Sequence, residues 1–198
     1  NPETTVVSIT VGKNTVQDVL RSSLAFGADR SILVETDLEL GPLQIAKVLC
    51  NIVESEKPDL ILMGKQAIDD DCNQTGQMLA GILGWPQATF ISEIDLQDKE
   101  VFLKREVDSG VEELKTTLPC VVTVDLRLNN PRFISLPNII KAKKKEIKVI
   151  DAKELNIDLE RKTKIIEINE PEKRERGEIM QDVDELIDCL KKSGVINK

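Results

Sequence analysis

Apolar positions along the chain fall into short runs, and the spacing within a run switches between period two and period three to four. "TTVVSITVG" (Thr4 to Gly12) is dense in β-branched residues and stops at a glycine, which predicts a strand buried on both faces. "NTVQDVLRSSLAFGADR" predicts a helix: Asn14 or Thr15 can cap it, Val16, Val19, Leu20 and Leu24 recur at helical spacing, and Gly27 stands where the helix would end. "SILVE" (Ser31 to Glu35) predicts a second strand. In "GPLQIAKVLCNIVESEKPD", Pro42 opens a helix whose stripe is Leu43, Ala46, Leu49 or Cys50, and Val53, and Lys57-Pro58 ends it. "LILMG" (Leu60 to Gly64) predicts a third strand.

Strand, helix, strand, helix, strand is the order of crossovers in a parallel sheet covered on both faces, so the fold class is α/β. A helix over Thr75 to Leu83 follows. "TFISEIDLQ" and "EVFLKREVD" alternate as a hairpin turning near Asp98-Lys99, and "CVVTVDLRL" (Cys120 to Leu128) predicts a further buried strand. Beyond "KAKKKEIKVI" the chain becomes charged, and after "NEPEKRERGE" one amphipathic helix, "DVDELIDCLKK", places Val183, Leu186, Ile187 and Leu190 on one stripe. The expected division is therefore an α/β domain over 1–145 and a C-terminal arm over 147–198. One helix cannot bury its apolar stripe alone, so the arm is expected to pack on the domain or on another chain.

Composition narrows the chemistry. A net charge of −8 over 198 residues disfavours nonspecific binding to nucleic acid phosphates. The apolar runs are far short of the roughly 20 residues needed to span a bilayer, so no membrane insertion is expected. No histidine or tyrosine is present, which removes the commonest general base and the imidazole metal ligands. Cys50, Cys72, Cys120 and Cys189 show neither CxxC nor metal-ligand spacing and read as reduced thiols of an intracellular protein.

The segment with a binding pattern is "MGKQAIDDDCNQTGQMLAGILGWPQ" (Met63 to Gln87), where a strand ends at Gly64, a polar loop follows and a helix begins near Gln74. Ligands of open α/β sheets sit beyond the carboxyl ends of strands, where helix N-termini present free N–H groups. A phosphate would fit against Asn73, Gln74 and Thr75. Asp69, Asp70 and Asp71 repel phosphate, and are assigned to capping, loop-internal hydrogen bonds or sugar hydroxyls. An ordinary helix cap that holds nothing remains open. A metal site is disfavoured, because adjacent aspartates diverge and the alternating carboxylates of a calcium loop are absent.

Three long strings, "LGPLQIAKVL", "LMGKQAIDDDCNQTGQMLAGILGWPQATF" and "LKREVDSGVEELKTTLPCVVTVDLRLNNPRFISLPNIIKAKKK", closely resemble the electron transfer flavoprotein β subunits. Ser109 stands where that family has glycine or an acid. The resemblance implies a fold similar to the adenine-nucleotide α-hydrolases and a non-catalytic electron-carrier subunit. It implies a partner α subunit carrying FAD, electrons taken from acyl-CoA and related dehydrogenases, and delivery to ubiquinone oxidoreductase. It implies a structural AMP held by Gly64, Lys65, Gln66, Ala67, Ile68, Asp69, Asp70, Asp71, Cys72, Asn73, Gln74 and Thr75, with a further contact at Val11, which could equally be a plain strand end. Another strand–helix unit is expected before Asn1. The similarity favours the mitochondrial matrix over a bacterial cytoplasm.

By the same resemblance, residues 124–146 form a dehydrogenase-recognition loop: Leu136 supplies an apolar anchor beside Pro137, Ile139 and Ile140, with Asn138 also in the recognition stretch, followed by the basic Lys141, Lys143, Lys144 and Lys145. Lys141 and Lys144 match positions of lysine methylation, which keeps the charge and removes donors. Glu106 is expected either to pair on the sheet surface or to meet an arginine of the α subunit; Trp85 is expected to pack. The competing reading is a stand-alone ATP- or AMP-binding protein of the same fold, stress-protein-like or a nucleotide hydrolase. Against it stand the absent SGGxDS-type loop and the absent histidines.

Overall fold

The β-branched runs form strands and the segments of helical period form helices, and their alternation produces the expected α/β architecture. The structure, a computed structural model, describes residues 4–69, 71–174 and 176–196. Two compact units divide the chain, Asn1–Lys162 and Thr163–Lys198. In the first, β1 (Val7–Gly12) leads through a 3-10 turn into α1 (Gln17–Phe26), followed by β2 (Arg30–Glu35), α2 (Pro42–Glu56), β3 (Leu60–Gly64) and α3 (Thr75–Leu83). The hairpin β4 (Gln87–Gln97) and β5 (Glu100–Val107) is extended by β6 (Gly110–Thr117), before β7 (Cys120–Val124), α4 (Leu136–Lys144) and β8 (Ile147–Asp151).

The strands form two sheets. One is parallel in the order β1-β2-β8; the other runs β3-β7-β4-β5-β6, parallel from β3 to β4 and antiparallel beyond. β2 is central and buried on both faces: Ile32 and Val34 pack with Val48 and Ile52 of α2, while Leu33 packs with Leu20 and Leu24 of α1 and Ala142 of α4. Full burial of each such side chain contributes about 1.5–3 kcal/mol. β1 was the strand expected to be buried on both faces. It is half-buried throughout, and Leu62 of β3 is 54% exposed, because each of these strands has a hydrogen-bonded neighbour on one side only among the described residues.

Several elements depart from the expected pattern for identifiable reasons. Val19 points to solvent because the buried stripe of α1 repeats every fourth residue, Val16, Leu20, Leu24. Leu43 is exposed, whereas Val48 and Ile52 are buried, because α2 packs on both the first sheet and α3. The predicted strand over Cys120 to Leu128 stops at Val124, and Leu126–Leu128 form a 3-10 turn. The expected 124–146 loop contains α4, started with Pro137 in its first turn, a position where the missing N–H costs nothing. β6, which carries Glu112, Glu113 and Lys115, and the five-residue β8, which follows a lysine-rich run, were not predicted. β8 nevertheless pairs with β2, and Ala152, Leu155, Ile157 and Leu159 join the core of β2 and α2. The first unit therefore runs to Lys162, beyond the expected limit at 145.

In the second unit, α5 (Val183–Lys192) is capped by Asp182, whose carboxylate accepts from the Glu185 N–H at 2.8 Å. Glu185 in turn accepts from the Gln181 N–H at 2.7 Å. Val183 and Leu186 are exposed, Ile187 and Leu190 half-buried.

Candidate functional site

Gly64 ends β3, and the next residue keeps the ladder, Lys65 N–H donating to the Val124 carbonyl at 3.1 Å. The loop then closes on itself. The Asp71 N–H donates to the Ala67 carbonyl at 3.2 Å, and the Gln66 amide donates to the Asp71 carboxylate. Asp71 and Asn73 both adopt left-handed backbone, with φ of 52° and 49°, a conformation that short polar side chains tolerate best. Asp71 is thus turned into the loop, as its repulsion for phosphate requires. Asp70 lies outside the described residues, and Ile68 and Cys72 are exposed.

α3 begins at Thr75 with no side-chain cap from Gln74, and its first helical bond is Met78 N–H to the Gln74 carbonyl. The N–H groups ahead of Met78 have no helical acceptor. One turn further in, Gln77 donates from Nε2 to Asn73 Oδ1 at 2.9 Å, while its Oε1 is buried with no hydrogen-bond partner among the described residues. A buried acceptor left unpaired costs about 1–3 kcal/mol, so a donor that the described residues do not supply would be favoured there. Gly76 sets the helix close against the sheet: a Cβ there would stand 2.5 Å from Thr123 Cγ2. Val11 is half-buried near the carboxyl end of β1, in the other sheet from Gly64.

Beside the loop, Lys65 Nζ pairs with Asp125 Oδ2 at 2.6 Å, and Asp125 Oδ1 accepts from the Arg127 N–H at 3.0 Å. The Lys65 hydrogen bond and then the Arg127 N–H hold the Asp125 carboxyl below the ordinary aspartate value. Arg127 also reaches Glu106 of the same chain with its guanidinium. Arg105, next to Glu106, instead pairs with Glu112 at 2.7 Å. A cavity of about 140 Å³ lies between Lys65, Phe90, Ser92, Glu106, Asp125 and Arg127. Phe90 bounds it at a β4 irregularity, with φ of 60° and its N–H on Thr123 Oγ1 at 3.2 Å.

Residues 124–146 are pinned by side chains that reach backbone carbonyls. Arg132 donates to the Phe26 carbonyl at 2.9 Å, Arg21 to those of Ala142 at 2.9 Å and Lys145, and Lys145 Nζ to the Ala28 carbonyl at 2.8 Å. α4 buries only Ala142. Leu136 is 68% exposed; Phe133, Pro137, Asn138, Ile139, Ile140, Lys141, Lys143 and Lys144 are also exposed. Lys145 is therefore a structural cation, whereas its three lysine neighbours face solvent. Burial pushes the Cys50 and Cys120 thiols up, which leaves neither activated as a nucleophile. Trp85 borders a separate open cavity of about 520 Å³ with Cys50, Glu54 and Asp59.

Sequence reasoning did not find Gly76, Gln77, Asp125 or Arg127. A glycine in the first turn of a helix was the one available signal; the other three depend on pairings between segments distant in the chain.

Residues 1–155 match the electron transfer flavoprotein domain. The chain is 53% identical over 188 residues to the "Electron transfer flavoprotein subunit beta, mitochondrial" of Arabidopsis thaliana, covering 94% of this chain and 75% of that protein. It is 49% identical over 195 residues to the "Electron transfer flavoprotein subunit beta" of Homo sapiens, covering 96% and 76%. The counterpart from Dictyostelium discoideum is 49% identical over 191 residues, covering 96% and 76%. With more than nine-tenths of its length aligned to β subunits of three distant eukaryotes, this chain belongs to the electron transfer flavoprotein β-subunit family.

Proposed function

We propose that this chain binds AMP as a structural nucleotide and pairs with a FAD-carrying α subunit. The heterodimer takes electrons from acyl-CoA and related dehydrogenases and passes them to ubiquinone oxidoreductase. The observation that carries the nucleotide half is the buried Gln77 Oε1 beside the uncapped first turn of α3. The free N–H groups fit a monophosphate at a helix N-terminus, and Gln77 Oε1 fits a hydroxyl or amino donor of the nucleoside. Asn73, Gln74 and Thr75 take the phosphate end, Gly64 to Cys72 and Val11 the remainder. FAD, when bound, supplies the redox chemistry; no residue of this chain does covalent work.

Docking belongs to α4. Leu136, with Pro137, Ile139 and Ile140, presents apolar surface for a dehydrogenase pocket, Asn138 belongs to the same recognition stretch, and Lys141, Lys143 and Lys144 steer an acidic rim toward it. Methylation of Lys141 and Lys144 weakens that steering contact by removing donors. Glu106 meets an arginine of the α subunit, and residues 163–198 form the arm that packs on that subunit. The plant relatives are named mitochondrial, which supports a matrix location for this chain.

Native mass spectrometry of the endogenous assembly, followed by denaturation and identification of the released molecules, tests this reading. One FAD and one AMP per heterodimer are expected. A lone chain, or one that releases ATP, overturns it in favour of a stand-alone nucleotide binder.

A further inference from the structure

Four charged side chains run in a line from the candidate nucleotide loop to the surface of the hairpin. Lys65 Nζ is 2.6 Å from Asp125 Oδ2, Arg127 Nε is 3.5 Å from Asp125 Oδ1, and the other end of the Arg127 guanidinium holds Glu106. Asp125 is the most buried of them, its side chain 11% exposed, against 32% for Lys65, 62% for Arg127 and 53% for Glu106. One carboxylate is therefore shared by two cations, and one of those cations is shared by two carboxylates. The same four side chains border the 140 Å³ cavity, so their heads have room to exchange partners.

Sharing makes the pairs interdependent. Whatever draws Lys65 away from Asp125 leaves that half-buried carboxylate short of a counter-charge, and Arg127 is the one that can supply it. Arg127 then gives up hold on Glu106. The loss is felt at the surface, where Glu106 becomes available to a cation outside the chain. By thermodynamic reciprocity, engaging Glu106 from outside releases Arg127 to Asp125 and frees Lys65.

We propose that Arg127 is a positioning residue that couples the Gly64–Thr75 loop to Glu106, so that a nucleotide oxygen engaging Lys65 Nζ in that loop and a cation held at Glu106 favour one another. The inference rests on the reading of that loop as a nucleotide site. It assigns Asp125 as the shared counter-ion and makes the loop more than a static structural feature.

The test uses the full-length chain, with AMP titrated calorimetrically and the Lys65 side-chain resonances followed by NMR. Glu106→Gln imitates withdrawal of the Glu106 charge. It is expected to shift the Lys65 resonances and to tighten AMP by about fivefold, the low end of ordinary coupling between sites. In an Arg127→Gln background both responses disappear, and Arg127→Lys restores them in part. A merely structural Arg127 would change stability without making the Glu106→Gln response depend on it. Lys65 resonances and an AMP affinity unmoved by Glu106→Gln, or moved equally with and without Arg127, overturn the coupling. If Arg127→Gln does not fold, the single Glu106→Gln variant decides by the same criterion. Wild type that takes no AMP at all overturns the nucleotide reading and this inference together, a result distinct from binding without coupling.

Discussion

The Gly64–Thr75 loop and the 124–146 segment solve opposite problems. The loop spends its polar side chains on itself: Gln66 on Asp71, Gln77 on Asn73, with Lys65 on the adjacent Asp125. Among the described residues, what is left is the buried Gln77 Oε1 and, at the uncapped start of α3, N–H groups with no helical acceptor. The 124–146 segment does the reverse, using Arg21, Arg132 and Lys145 to satisfy backbone carbonyls while Phe133, Leu136 and Ile140 stay exposed. An exposed leucine alone would mean little, since apolar atoms make up much of any protein surface. Exposed apolar residues on a helix held from behind by charge-assisted bonds are different, because the segment is kept in shape without burying them. On the proposed reading, the first region receives a small polar ligand and the second offers an apolar surface to a large one.

Separate roles predict separable defects, and the largest should be at α4. Leu136→Ala removes side chain that is two-thirds exposed, so the thermal midpoint should stay within error of wild type. If Leu136 is the docking anchor, affinity for a dehydrogenase should fall by about 2–4 kcal/mol, the range of interface hot spots. Surface plasmon resonance on the heterodimer measures it. Binding unchanged within twofold would remove α4 from the docking surface; a fall in AMP content would merge the two regions instead.

The converse variant is Gly76→Ala. Its new methyl would meet the Thr123 side chain, which is 2% exposed and whose Oγ1 already accepts from the Phe90 N–H. Thr123 has little freedom to yield, so the first turn of α3 must lift from β7. Overpacking of this kind costs about 1–3 kcal/mol, visible in the urea midpoint. AMP retention should fall with it, while dehydrogenase docking per folded molecule should not. A stability equal to wild type would mean that the helix start is looser than its packing implies.

These two variants also mark what the sequence could and could not disclose. Segments whose partners lie nearby were legible: the α3 limits coincide with those expected, as do the β3 limits and the turn at Asp98, because caps, glycines and β-branched runs act locally. β8 was missed for a nonlocal reason. It is only five residues long and follows a lysine-rich run, and only the pairing with β2, more than a hundred residues earlier, makes it a strand. The half-burial of β1 depends likewise on what lies beside it in the sheet, which periodicity does not report. At the site, the Asp69–Asp71 run draws the eye by composition, yet Gln77, with an unmet bond among the described residues, and Asp125 and Arg127, with shared ones, do not stand out in the sequence. Unmet valence is a property of the assembled pocket.

Asp125 is where the two regions touch, since it pairs with Lys65 of the loop and caps the 3-10 turn Leu126–Leu128 that opens the 124–146 segment. The smallest expected effect lies here. The Lys65 hydrogen bond and then the Arg127 N–H hold the Asp125 carboxyl below the ordinary aspartate value when folded, so the unfolded chain binds its proton first as the pH falls. The contribution to stability is therefore complete above the unfolded value and is lost as the pH drops through the folded one. Asp125→Asn keeps a capping oxygen and removes the charge. Urea midpoints from pH 7 to pH 3 should show the variant less stable by under about 1 kcal/mol at neutrality, because Lys65 is a third exposed and water screens the pair. That difference should narrow below about pH 4, the ordinary aspartate range, where the unfolded wild-type chain begins to take up the proton. No gap at neutral pH would assign the role of Asp125 to capping the turn alone. The two regions would then be electrostatically independent, and the Lys65 pair would be a consequence of proximity.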